Sequence, residues 1–303
     1  MRAAVFLLGA YAACALLFAA CSRTALRVPR EAAKDDGGAG GSGGQGGDGG
    51  GGGAGGSGGE GGAPIDAGID APSDREFPPI PEEVFAASGT TLYRLTVDSW
   101  VLAKVGTLDG CVGPVVDIAI DRTSRMFATT TNGIYRVDPG TAVCTLISQG
   151  IYPNSLCTVP AGTVDPSEEA LVGFVDDDYV RIDRETGEIT SIGNLGPFGF
   201  ISSGDMAVLP GGRAFLSVKQ GGCSDCLVEI DPTTGVMLNL VGPIGYSNVF
   251  GLASQKGEGI GFGAAGEVFH IDLTTGEGKP IAVSNEPFGL EYFGAASKPE
   301  DPD

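Results

Sequence analysis

The sequence is poor in histidine, tryptophan and positive charge. It has one His, one Trp, and 18 Lys and Arg against 38 Asp and Glu, for a formal net charge of −20. The lone His270 leaves no Ser-His-Asp set that can be assembled with a supporting partner. A zinc site would need further histidines or a second cysteine pair. Nucleic-acid phosphates are held by clustered Lys and Arg, and anionic lipid headgroups attract basic surfaces, so this composition excludes both as charge-driven partners. It describes a soluble, self-repelling surface instead. Also absent, after residue 84, is any sustained apolar pattern of 3.6-residue period, the mark of a helical face. Glycine is the opposite case. The 52 glycines exceed ordinary usage, and the excess is local.

The one long hydrophobic run is at the start. "MRAAVFLLGAYAACALLFAACS" has a single positive charge, Arg2, then apolar residues from Ala3 to Ala20, then Cys21. A charged start, an apolar middle and small residues before a cut are the layout of a secretory signal. About eighteen apolar residues are also near the minimum for a membrane-spanning helix. "FAAC" resembles a bacterial lipobox, with Phe18 where Leu is usual. The resemblance implies a signal peptide over 1–20, diacylation of Cys21, and a lipid anchor in the bacterial envelope. Ser22 after the cysteine implies sorting to the outer membrane or cell surface.

From Gly37 to Gly62, nineteen of 26 residues are glycine. Such a segment cannot bury enough surface to offset its ordering entropy, so residues 21–83 are expected to form a flexible tether. The 46 residues from Gly37 to Glu82 have a mean reach as a coil of about 35–40 Å. A phosphate-cradling loop is excluded by context, because no apolar strand precedes the glycines and no Lys-Ser or Lys-Thr follows them.

The rest of the chain, 84–297 before an acidic tail at 298–303, carries a recurring phrase. "LYRLT", "IYRVD", "YVRID", "LVEID" and "VFHID" end at Thr96, Asp138, Asp183, Asp231 and Asp272, at intervals of 42, 45, 48 and 41 residues. Apolar positions such as Tyr135 and Val137 alternate with Arg94, Arg136, Arg181, Glu229 and His270, which is strand chemistry. Asp-x-x-Thr-Gly follows three of the phrases. There Asp can bind the turn backbone and Gly can take a positive φ. Two further strands precede each phrase. Four strands in about forty residues predict an all-β fold, a β-propeller of four-stranded blades. Five blades form if the C-terminal strand, expected at Gly289–Phe293, joins the N-terminal blade. A sixth blade is not excluded by the repeat count alone.

"IDPTTGVMLNLVG", "FGLAS" and "GEVFHID" resemble propellers of the YVTN and NHL types across 84–297. The resemblance implies the ring but no activity, since such rings serve unrelated roles. Two functions follow as expectations. The first is an extracytoplasmic binding or interaction module with no cofactor, for a glycan, peptide or protein. The second is a calcium-dependent propeller hydrolase or lactonase, whose acids would stand at the inner-strand starts. Asp117, Ser155, Asp205, Gly251 and Gly289 occupy those starts, with Glu291 nearby. Two acids and Glu291 make a sparse calcium set, so the expectation is no catalytic residue and no metal.

A ligand would meet the connections that lead from each outer strand to the next inner strand. These carry Tyr152, Phe198, Tyr246 and Phe288, with Asp117 and Asp205 beside them. Rings with a few acids can hold a sugar, a peptide or a cation, while buried rings serve packing. Cys223 and Cys226 in "CSDC" are expected to form a structural disulfide, because no helix follows to activate a redox pair. The pairing among Cys111, Cys144 and Cys157 stays open. Asp176, Asp177 and Asp178 lack the alternating ligand spacing of a calcium loop and read as a solvated turn. His270 reads as an ordinary outward position.

Overall fold

A computed structural model describes residues 83–299. The expected signal peptide at 1–20, the expected lipidation at Cys21, the expected tether and the end of the tail lie outside the described residues. Twenty strands and one short 3-10 turn form five four-stranded antiparallel sheets. The expected five-bladed propeller is the fold.

Blade II consists of β4 (Val115–Ile120), β5 (Met126–Thr130), β6 (Gly133–Val137) and β7 (Cys144–Gln149). Blade III has β8 (Ser155–Val159), β9 (Ala170–Val175), β10 (Asp178–Ile182) and β11 (Ile189–Asn194). Blade IV has β12 (Ile201–Val208), β13 (Ala214–Gln220), β14 (Cys223–Ile230) and β15 (Met237–Pro243). Blade V has β16 (Val249–Gln255), β17 (Glu258–Gly263), β18 (Val268–Ile271) and β19 (Gly278–Pro280). Blade I takes β1 (Glu83–Ala87), β2 (Thr91–Thr96) and β3 (Val101–Thr107) from one end of the chain and β20 (Gly294–Ser297) from the other. The strand order β20-β1-β2-β3 makes the last strand of the chain the innermost strand of the first blade.

That closure corrects the expected strand by five residues. The inner strand is Gly294–Ser297, and Gly289 lies in the connection before it. "YFGAAS" (292–297) is the counterpart of "VFGLAS" (249–254), whereas "PFGL" (287–290) imitates the same phrase by chance. Phe250 and Phe293 occupy matching positions, and their rings stack at 6.0 Å.

The recurring phrase does the work its chemistry suggests. Tyr135, Val137, Val180, Ile182, Val228, Ile230, Phe269 and Ile271 are all buried between blades. The alternate positions face outward and pair locally, as in Arg136–Glu185 (2.9 Å), Arg181–Asp165 (2.8 Å) and Glu229–Arg213 (2.7 Å). In the hairpins, one oxygen of Asp138, Asp183 and Asp272 each accepts two backbone amides at 2.7–3.1 Å. Those amides hold each carboxyl below its ordinary range. The closing residue of the turn is left-handed: Gly187, Gly235 and Gly276 in blades III to V, but Ala142 and Trp100 in blades II and I.

Neighbouring blades interlock through these hairpins. The hairpins of blades II, IV and V each lean on the outer strand of the preceding blade over a glycine seated at a β-bulge, Gly106, Gly193 and Gly242. A side chain on Gly193 or Gly242 would meet the carbonyl of Thr234 or Thr275. At the ring-closing seam the Trp100 turn fills the same role. Leu102 N donates to Ser284 O (3.0 Å), Ser284 N donates to Trp100 O (2.8 Å), and the indole meets His270 edge-on at 5.1 Å. His270 also lies 3.3 Å from Glu258, at the outward position expected of it.

Candidate functional site

The inner strands β4, β8, β12, β16 and β20 surround the ring axis. Asp117 begins this line in blade II and Asp205 in blade IV, and neither has any exposed surface. Asp117 accepts Ile118 N (2.8 Å) through Oδ1 and Leu156 N of blade III (2.6 Å) through Oδ2. Asp205 accepts Met206 N (2.6 Å) and Leu252 N of blade V (2.8 Å) in the same way. Each acid therefore ties its own blade to the next. The partner positions are small: Ser155, whose hydroxyl accepts Phe174 N (2.8 Å), and the glycines Gly251 and Gly294. A side chain at Gly294 would collide with the Asp117 carboxyl.

The two carboxyl groups influence each other across the axis. Burial raises both well above the ordinary carboxyl range, and the charge of Asp205 raises Asp117 further. Two neighbouring buried charges are costly, which favours the protonated form of the pair. Further along the axis, Thr158 Oγ donates to Ile120 O and Ser254 Oγ donates to Val208 O, both at 2.8 Å. A void of about 10 Å³, roughly room for one water, lies among the inner strands here. Cys157 lines it, the one unpaired cysteine among the described residues. Burial, then the acids Asp205 and Asp117, push its thiol well up, away from the reactive thiolate.

The connection aromatics divide into two kinds. Tyr152 is half-buried, and its hydroxyl donates to Gly187 O (2.8 Å) of the hairpin leaning on blade II. Tyr246 lies flat on Phe269 at 4.0 Å, over Gly278. Of the two readings open for these rings, ligand contact or packing between blades, these two take the packing role, filling a gap between neighbouring blades. Phe198 and Phe288 do face solvent, at 54% exposure for Phe198 and fully for Phe288.

Open space lies off the axis. A cleft of about 550 Å³ sits between the β13–β14 hairpin, the connection entering β12 at Gly199 and Ile201, and the connection entering β16 at Ser247 and Asn248. Its wall is an extended hairpin: β13 and β14 have 7 and 8 residues, where β5 and β6 have 5 each. Cys223, disulfide-bonded to Cys226 as expected, lines the wall near the hairpin tip. Between the two cysteines is Asp225, 6% exposed. Its Oδ2 accepts Asn248 N (2.9 Å) and its carbonyl accepts Ile244 N (3.0 Å). Burial raises the carboxyl. The Ser203 hydroxyl, the amides of Asn248 and Val249, and Lys219 act in the opposite direction. Gln220 Nε2 donates to Phe198 O (2.7 Å), which holds the exposed ring's loop against this wall.

Asp225, Lys219, Gln220 and Asn248 were not singled out from the sequence. The readable signal was the long "KQGGCSDC" tip. The positive φ of Asn248, 57°, which turns its amide toward Asp225, carried no mark in the sequence. The second disulfide joins Cys111 to Cys144, bridging the connection after blade I to the outer strand of blade II. Asp176, Asp177 and Asp178 are exposed at the β9–β10 turn. Among the described residues, no group of three or more His, Cys, Asp or Glu is arranged to hold a metal ion.

No family model and no curated protein matches the sequence. Among solved structures, the chain is similar to one in a nidogen/laminin complex (10% identity, 72% of this chain, 86% of that one, TM-score 0.44). It is similar also to a gluconolactonase from Xanthomonas campestris (13% identity, 70% and 79%, TM-score 0.42). A third likeness is to a Bacteroides caccae protein of unknown function (11% identity, 70% and 77%, TM-score 0.39). Identities this low say nothing of ligand or reaction.

Proposed function

We propose that the protein is a lipid-anchored, extracytoplasmic binding module that takes its ligand at the end of the ring where the inner strands begin, and that the axis is structural. The observation that carries this reading is the contrast in space and bonding. The axis keeps about 10 Å³ and both its acids are committed to backbone amides, while a cleft of about 550 Å³ opens beside Asp225. A propeller lactonase would hold calcium with free carboxylate oxygens at the axis. Here Asp117 and Asp205 already accept four amides between them, which disfavours that reading.

Two disulfides among the described residues support export, since such bonds persist in oxidising compartments. The anchor rests on the sequence around Cys21. Fractionating cells that express Cys21→Ala tests it: the variant moves to the soluble fraction or stalls as precursor, and a variant that still sediments like wild type sinks the lipoprotein reading. For the module, a screen of glycans and peptides against the full-length chain is expected to return a ligand. Calcium-dependent lactone hydrolysis that disappears in Asp117→Asn would establish the enzyme instead.

A further inference from the structure

The cleft's own chemistry narrows the class of ligand. Its polar lining consists of Lys219, Gln220, Ser224, Asp225, Ser247 and Asn248. One cation and one anion cancel, so on a chain of net charge −20 the cleft is locally neutral. An anionic ligand would face long-range repulsion from the molecule, and a cationic one would meet Lys219 beside the single acid. What remains is dense hydrogen-bonding capacity. Asp225 is an acceptor, Lys219 a donor, Gln220 and Asn248 carry both kinds of group, and the two serines are rotatable hydroxyls. The acceptor is fixed in place: Asp225 is almost wholly buried, and its position is set by Asn248 N and by the disulfide on either side of it. An ionised acceptor makes hydrogen bonds roughly twice as strong as a neutral one.

An apolar surface completes the set. Phe198 is 54% exposed, and its carbonyl is held by Gln220, itself a cleft residue. An exposed aromatic ring on a loop tied to the cleft wall, together with the cleft's donors and acceptors, suits a molecule with hydroxyls around its rim and C–H groups on its face. The volume is within the usual range for small-ligand sites, about 300–1,000 Å³.

We infer that the cleft between blades IV and V binds a neutral saccharide, with Asp225 accepting from a pair of ring hydroxyls and Phe198 as the platform under the sugar's C–H face. This rests on the binding-module reading and adds the ligand's class and its place.

The test uses the full-length chain on an array of neutral oligosaccharides, with sialylated and sulfated glycans and a peptide pool as separate arms. Calorimetry then follows with the strongest neutral oligosaccharide. Binding of a neutral glycan is expected, weakened at least tenfold by Asp225→Asn and by Phe198→Ala and unchanged by Phe288→Ala. Should Asp225→Asn fail to fold, Phe198→Ala carries the test alone, since its ring is solvent-facing. Binding confined to peptides or anionic glycans, and lost in Asp225→Asn, overturns the saccharide class and leaves the module standing. Neutral-glycan binding that resists both cleft variants and falls in Phe288→Ala overturns the place. No binding of any neutral glycan at millimolar concentration overturns the inference.

Discussion

Asp205 and Asp225 stand twenty residues apart on one blade, and burial raises both carboxyl groups, yet their surroundings differ in kind. Asp205 points into an axis where amides from its own blade and from blade V occupy both oxygens and a second buried acid stands nearby. Asp225 borders an open cleft with a cation and uncharged donors around it. A buried acid is therefore a poor marker of a site by itself. Both accept backbone amides, so what separates the two is the open space and the polar side chains beside Asp225. The axis acids act as staples between blades.

The sharpest way to break the contrast is to remove the strand that completes the axis. Ending the chain after Phe293 leaves β1 without its inner partner and opens the ring beside Asp117. The expected loss approaches the whole stability of a domain, about 5–15 kcal/mol, read as loss of the cooperative thermal transition. An unchanged melting curve would mean that β20 is dispensable. Next in size is Asp205→Ala, which strands the amides of Met206 and Leu252. At about 1–3 kcal/mol for each buried donor left unsatisfied, the cost is about 2–6 kcal/mol by denaturant titration. The contrast fails if Asp225→Asn costs as much. That variant keeps an acceptor for Asn248 N and is expected within about 1 kcal/mol of wild type.

Acidity probes the same difference. The folded-state pKa values of Asp117 and Asp205 lie above their unfolded values. Their contribution is thus fully present below the unfolded carboxyl value, near 4, and is lost as pH rises through the folded values. The hairpin acids have the opposite sign. Asp138, Asp183, Asp231 and Asp272 are lowered by turn amides, and Asp165 is lowered to about 2 by Ser167, Arg181 and Glu168 N. Their contribution is present above the unfolded value and is lost as pH falls through the folded values. Stability is expected to peak at mildly acidic pH, and Asp117→Asn is expected to flatten the decline on the alkaline side. An unaltered alkaline slope in that variant would show that the pair does not hold the proton. The smallest expected effect is Phe198→Ala, within about 0.5 kcal/mol of wild type, because the ring packs on little.

The ring was legible because its information is local and repeated. A period in the low forties, the alternation around Tyr135 and Val137, and Asp followed by Thr-Gly all specify one blade at a time. The closing strand was readable too, in "YFGAAS", but a nearer imitation at 287–290 drew attention away from it. The cleft was not legible. It depends on the length of one hairpin tip, the left-handed turn at Asn248 and the meeting of residues from two connections, none of which recurs. Whether Tyr152 and Tyr246 pack or face water was not legible for a related reason: sequence sets which connection a ring belongs to, while blade twist decides whether that connection faces water or the neighbouring blade.

Because β20 pairs with β1, the two ends of the folded chain are neighbours in one sheet, and the last contact to form spans nearly the whole domain. A chain that begins to fold from its N-terminus must carry blade I as a three-stranded fragment until residue 297 arrives. Blades II to V each hold all their strands in one local stretch and can assemble earlier. Long-range closure of this kind slows folding, and the waiting edge of β1 is the place where a second unfinished molecule could pair by mistake. Joining the present ends with a short linker and opening the chain between blades II and III would turn that final contact into a local one.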